Sequence, residues 1–226
     1  MPKKKKKQLE IQEKINIKEQ DKQIVIVNNI QPPSPNPESE LRAINLYGDI
    51  TEQKSADVVA GLLYLENSSH VVLDPDPEEK EPKTTIIARP ISMMISTHGG
   101  VASDMFSIID IMDMIKKRTC DIETYGIGKV MSAGVPILAA GTPGRRKVGK
   151  NCRIMLHNVL AGTGGTIFSM ENELEEIKWV QERYIECLAS YTKLTKAKIK
   201  KLLKTQKDVY ISAEEAIKMG IADEIV

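Results

Sequence analysis

Aromatic side chains make up only 4% of this 226-residue chain, with two phenylalanines and one tryptophan. A core with so few rings has to be built from aliphatic residues and from the ten methionines, which are flexible enough to fill irregular gaps. Cysteine is nearly as scarce: Cys120, Cys152 and Cys187 are widely separated and odd in number. That pattern is neither a disulfide framework nor a metal-site spacing, and it points to a reducing, cytoplasmic setting. Histidine is limited to His70, His98 and His157, so few side chains can serve as a base near neutral pH. Neither sign of charge dominates: 32 Lys and Arg face 31 Asp and Glu, for a net charge of +1. Such a chain has no overall field for nucleic acid or a membrane surface. Apolar runs near the ~18 residues of a membrane span are missing too. The basic N-terminus lacks the apolar segment of a secretory signal, and Glu10, Glu13 and Glu19 argue against an organelle transit peptide.

The length suits one substantial domain with tails. The run Lys3–Lys7 reads as a solvated tail, Ile24–Val27 as a short strand, and the four prolines of Gln31–Glu40 as a linker or arm. We therefore expect a charged, Pro-rich extension over 1–40 and a compact domain over 41–226. Within that domain strand and helix patterns alternate, which predicts an α/β fold rich in parallel sheet. Residues 42–50 read as a strand ending at a Gly-Asp turn. The next segment reads as a helix with Ala56, Val59, Ala60 and Leu63 on one face. An acidic, Pro-rich surface loop follows at 73–83, then strand material to Ser96 broken by Pro90. Met105, Ile108, Ile109, Met112 and Ile115 recur at helical spacing. A long helix spans about 169–191, with Leu174, Ile177, Tyr184, Leu188 and Tyr191 on one stripe. The last helix carries a capping box, Ser212 with Glu215, and ends at Gly220.

Few stretches carry chemistry. Glycine-rich sequence leads into Ser132, and a short apolar helix pattern follows. A serine there is either a helix cap or a nucleophile with nearby N–H groups aimed at an oxyanion. His157 closes the apolar strand pattern "RIML", His98 sits in the turn before Gly99-Gly100, and His70 reads as a surface residue. "GRRKVGKN" imitates the start of a phosphate-binding loop. It has Asn151 where Ser or Thr must hold magnesium, and it reads instead as a solvated basic hairpin. G-x-S-x-G fails as well, because Val130 stands where the first glycine belongs.

Taken in order, "ISTHGG", "GKVMSAGVPILAAGTPGRR", "NCRIMLHNVLAG" and "DVYISAEEAIKMGIADEIV" resemble the proteolytic subunit of the Clp protease over about 41–226. The resemblance implies a crotonase-like α/β spiral of strand–helix units, with a projecting handle formed by Ala161–Gly165 and the long helix. It implies a serine endopeptidase with nucleophile Ser132, base His157 and acid Asp208, and with backbone oxyanion donors at Gly100 and Ala133. Asp223 is the nearest alternative acid and reads as a surface turn residue.

The implied partners are further copies of the chain, stacked as seven-membered rings around a chamber, and a ring-shaped AAA+ ATPase that feeds unfolded polypeptide. ATP then belongs to the partner, and this chain needs no cofactor or metal. The sequence departs from the family pattern at Thr97-His98 (usually Ser-Pro), Ala133 (usually Met), Lys207 (commonly Arg) and the 73–83 insertion. Two other readings compete: an acyl-coenzyme A enzyme of the wider crotonase group, and a non-catalytic ring subunit.

Overall fold

The computed structural model describes residues 41–73, 85–204 and 207–226. The expected 1–40 extension, the Ile24–Val27 strand, and the acidic loop beyond Leu73 lie outside the described residues. A sheet of seven strands organises the rest. Strand β1 (Ala43–Tyr47) leads into helix α1 (Glu52–Asn67), and β2 (His70–Leu73) pairs only with β3 (Thr85–Ala88) as an antiparallel hairpin. Then come β4 (Ile91–Thr97), α2 (Ala102–Arg118), β5 (Ile122–Met131), α3 (Gly134–Ala139), β6 (Arg146–Val148) and β7 (Arg153–Leu156). Helix α4 (Ile167–Tyr191), α5 (Lys196–Leu203), β8 (Val209–Ile211), α6 (Ala213–Met219) and β9 (Glu224–Ile225) complete the chain. The main path runs β1-β4-β5-β6-β9, all parallel, while β7 pairs parallel with β5 and antiparallel with β8. This is the expected α/β fold with a mainly parallel sheet.

The core is aliphatic and methionine-rich. Leu46, Ile91, Met93, Ile95, Met105, Met112 and Ile122 are all fully buried. Strand β4 alternates strictly between buried and half-buried positions, the period-two signature of a pleated strand. Helix α2 buries Met105, Ile108, Ile109, Met112 and Ile115, the stripe its periodicity predicts. Its last turn carries Lys116, Lys117 and Arg118, favourably placed at the negative end of the helix dipole. Helix α6 has its capping box, and Gly220 closes it in the left-handed region at φ 72°. Helix α4, at 25 residues about 37 Å long, buries only Tyr184, Ile185 and Leu188. Ile167, Phe168, Leu174 and Trp179 of its N-terminal half are exposed.

Three readings need correction. The buried face of α1 is Ser55, Val58, Leu62 and Glu66; Ala56 and Ala60 are exposed, and Val59 and Leu63 are half-buried. Hydrophobicity misled because the buried polar positions are satisfied by partners. Ser55 Oγ donates to the Asp104 carbonyl at 3.2 Å, and Glu66 receives Arg118 through two bonds of 2.6 Å. Those bonds hold the Glu66 carboxyl below its usual range against the opposing effect of burial. His70, which follows the α1 helix pattern and would read as a loop residue, begins strand β2, and it is exposed as expected.

The third correction concerns "GRRKVGKN". Arg146 opens a central parallel strand and is buried, so the segment is no solvated hairpin. Its guanidinium donates to both carboxylate oxygens of Asp223 and to the carbonyls of Ala139, Tyr191 and Gly220. Asp223 also accepts the backbone N–H of Gly144 at 2.7 Å. It is exposed in a bend, as expected, and is at the same time a structural partner of buried Arg146.

Candidate active site

Strand β5 delivers Ser132 by an irregular route. It pairs with β4 in regular register up to Ile95–Gly126, and pairing resumes at Thr97–Val130. β5 therefore carries two more residues than β4 across this interval, and Gly128 within it has φ 66°. A bulge of this kind re-aims the strand end. Beyond it, Ser132 has φ 51°, the only non-glycine residue with positive φ among the described residues. A side chain in that conformation is held against a local energy cost, and such strain gathers at functional sites.

The surroundings keep it there. Ser132 N–H donates to the Met155 carbonyl at 2.8 Å, and its own carbonyl accepts Val135 N–H at 3.0 Å and the Tyr184 hydroxyl at 3.3 Å. Helix α3 starts at Gly134 with Ala133 in the N-cap position and no side-chain cap bond. The cap reading of Ser132 is thus overturned, and so is the expectation that Ser132 itself begins the helix. The left-handed turn places it one residue too early and leaves its hydroxyl unused by the backbone.

Two glycines face it. A Cβ on Gly99 would lie 2.6 Å from Ser132 Cβ, and a Cβ on Gly100 would lie 2.1 Å from the Ile50 carbonyl oxygen. Only glycine lets this turn press between Ser132 and the chain at Ile50. The turn is fastened by Ile50 N–H to the Gly99 carbonyl (2.8 Å), by Val101 N–H to the Ile50 carbonyl (2.9 Å), and by Gly99 N–H to buried Thr97 Oγ1 (2.9 Å). The N–H groups of Gly100 and Ala133 donate to no acceptor among the described residues. Idle donors held on rigid backbone can receive an incoming anion without reorganising.

His157 follows β7 directly and is half-buried. The loop behind it is tied down on both sides: Asn158 Nδ2 donates to the Leu203 carbonyl at 2.8 Å, and Val159 N–H to Gln181 Oε1 at 2.7 Å. Gly100, Ser132, Ala133 and His157 line one cavity of about 670 Å³, together with His98, Asp49, Val101, Met105, Val159 and Tyr184. Asp208 does not line it and is exposed. The antiparallel pairing of β7 with β8 matches Leu156 to Val209, and one more step of that register sets His157 opposite Asp208. No hydrogen bond joins Ser132, His157 and Asp208.

Sequence reasoning missed Thr97, which braces the turn, and Tyr184, which holds the strained serine carbonyl. The sequence hint for Tyr184 is a hydroxyl in a stripe that is apolar apart from it and Tyr191. Thiols do not rival the serine as nucleophile. Burial pushes Cys152 up to about 11 and Cys187 up to about 12, so both stay protonated near neutrality.

A mainly parallel sheet that brings a strained serine, an imidazole and two unbonded backbone donors to one cavity defines the class: an α/β protein with its candidate site at the strand ends. Residues 83–226 match the family model described as Clp protease. A relative from Corynebacterium jeikeium (strain K411), "ATP-dependent Clp protease proteolytic subunit 2", is 30% identical over 187 residues, which is 82% of this chain and 79% of that protein. The chain belongs to the Clp protease family.

Proposed function

We propose that this protein is a serine endopeptidase, the proteolytic subunit of a chambered, ATP-dependent protease. The observation that carries the reading is Ser132 held at φ 51° in the same cavity as His157 and the unbonded N–H groups of Gly100 and Ala133. In this mechanism His157 takes the proton of Ser132 Oγ as the hydroxyl attacks the scissile carbonyl. The carbonyl oxygen gains negative charge, and Gly100 and Ala133 N–H stabilise it. His157 then gives the proton to the leaving amine, and water repeats the sequence to release the acyl group. Asp208, opposite His157 in the β7–β8 register, fixes the imidazole tautomer and stabilises its cationic form. Catalytic bonds are often long before substrate binds, so an unbonded triad is compatible with this role.

Exposed Ile167, Phe168, Leu174 and Trp179 on the first half of α4 support a handle that packs on other copies of the chain, within stacked heptameric rings. The partner is an AAA+ ATPase that unfolds polypeptide and uses the ATP; this subunit binds no cofactor. No helix among the described residues is long and apolar enough to cross a membrane, and we place the protein in the cytoplasm. The triad residues disfavour the acyl-coenzyme A and non-catalytic alternatives.

The test is labelling with a fluorophosphonate, read by intact mass, alongside peptide hydrolysis. The purified chain should take one label at Ser132, lost in Ser132→Ala. It should cut short peptides without ATP, and folded proteins only with the ATPase and ATP. Undiminished labelling of Ser132→Ala would overturn the assignment. Rapid ATP-independent digestion of a folded protein by a monomer would overturn the chamber.

A further inference from the structure

The cavity in front of Ser132 has a charged rim on one side only. Asp49 is the one carboxylate among its lining residues, and no lysine or arginine lines it. Val101, Met105 and Val159 give it apolar wall, and its other polar lining side chains, Thr51, Asn158 and Tyr184 among them, carry no charge. Asp49 is firmly placed although its side chain is 73% exposed. Gly48 N–H before it donates to the Ser96 carbonyl at 3.1 Å, and Ile50 N–H after it donates to the Gly99 carbonyl at 2.8 Å. The backbone that holds the carboxylate is therefore bonded directly to the turn that holds the Gly100 donor. Among the described residues the nearby cationic candidate is His98, whose Nδ1 stands 3.9 Å from Asp49 Oδ1. That is too long for a firm hydrogen bond and leaves the carboxylate's acceptor positions open.

We propose that Asp49 is a specificity residue, favouring peptides with a lysine or arginine side chain close to the scissile bond. The proposal rests on the peptidase reading of Ser132. A peptide with its carbonyl on Gly100 and Ala133 lies in the cavity that Asp49 also lines, so side chains flanking the cleaved bond can reach the carboxylate. A basic side chain there gains the carboxylate's attraction, and an acidic one meets repulsion. The attraction acts on bound substrate before and during the reaction alike, so it lowers KM more than it raises kcat. Because the pair forms in partly exposed surroundings, its worth is that of a rim ion pair, about two- to five-fold in kcat/KM.

The experiment uses the full chain and fluorogenic peptides that differ at one position: Lys, Gln or Glu, placed in turn at the two residues on either side of the scissile bond. At one or more of these positions the order should be Lys, then Gln, then Glu, carried mainly by KM. Raising salt from 0.1 to 1 M shortens the screening length from about 10 to about 3 Å and should erase most of the preference. Asp49→Asn should bring the Lys-to-Glu ratio close to one, and Asp49→Lys should invert it. Each ratio is taken within one variant, so a general loss of activity cancels. Should a variant fail to fold, the salt series on the unaltered chain still decides. A ratio of one at every position, a preference indifferent to salt, or an unchanged ratio in Asp49→Asn would overturn the proposal. If none of the peptides is cut and Ser132 takes no fluorophosphonate, the peptidase reading falls, and this proposal falls with it.

Discussion

Arg146 and Ser132 stand at strand ends of the same sheet, and their neighbourhoods treat polar groups in opposite ways. At Arg146 the donors are answered: its guanidinium bonds to Asp223 and to carbonyls at Ala139, Tyr191 and Gly220, close to the ends of three helices. At Ser132 the backbone is strained, two neighbouring N–H groups are idle, and the hydroxyl is unbonded. Ala133 is buried, and a buried donor left without a partner costs stability, as does a left-handed non-glycine residue. The first neighbourhood holds the helices to the sheet, and the second leaves its groups available to a ligand. The contrast gives Asp223 a structural partner in Arg146, while Asp208 stays the candidate third member of the triad that the resemblance implies.

The largest effect that would sharpen the contrast is at Ser132. Ser132→Ala should lower peptide turnover on the order of 10⁶-fold, the scale known for loss of the subtilisin nucleophile. Melting should shift little, because the Ala variant keeps the backbone bonds that pin the turn. Next is Asp208→Asn, expected to reduce turnover by roughly 10⁴, the cost known for the matching change in trypsin. An exposed Asp208 should leave melting almost unchanged, so full activity together with a lower melting point would reverse the roles of the two acids.

Third is Gly100→Ala. Its Cβ would meet the Ile50 carbonyl at 2.1 Å, so the turn must move and the Gly100 N–H leaves its position. Loss of one oxyanion donor predicts a fall of about 10² to 10³ in kcat. The smallest effect on catalysis, and the clearest on stability, is at Asp223. Asp223→Asn should cost about 1–3 kcal/mol in chemical denaturation by leaving part of the buried guanidinium unanswered. The hydrogen bond from Arg146 holds Asp223 below its ordinary value of 3.8. Its contribution is therefore complete above that value and is lost as pH falls through the lowered one. The unaltered chain should accordingly lose stability below about pH 4, and Asp223→Asn should show a flatter acid limb. Equal acid sensitivity in both would show that Asp223 is not the carboxylate responsible.

Much of the fold was legible because it depends on local pattern. The α2 stripe from Met105 to Ile115 follows from helical period alone, and the Ser212–Glu215 box with Gly220 marks α6 at both ends. The α1 face was misread because Ser55 and Glu66 are buried through partners some fifty residues away, Asp104 and Arg118. Arg146 was misread for the same reason, since a basic run looks solvated until Asp223 is brought beside it.

The sequence by itself determined the alternation of strands and helices, the aliphatic core, Ser132 and His157 as candidates for chemistry, and the resemblance that implies Asp208, Gly100 and Ala133 beside them. Those depend on residue type, spacing and order, which a linear chain carries in full. Only the tertiary structure decided that Ser132 lies in a left-handed turn outside the helix, that Ile50 and Thr97 fix the glycine turn against it, and that Asp49 stands on the cavity rim. It alone decided that Asp223 belongs to Arg146 while Asp208 falls opposite His157. The physical reason is that strain, burial and charge pairing arise between residues distant in sequence, and become defined only when the sheet register sets them side by side.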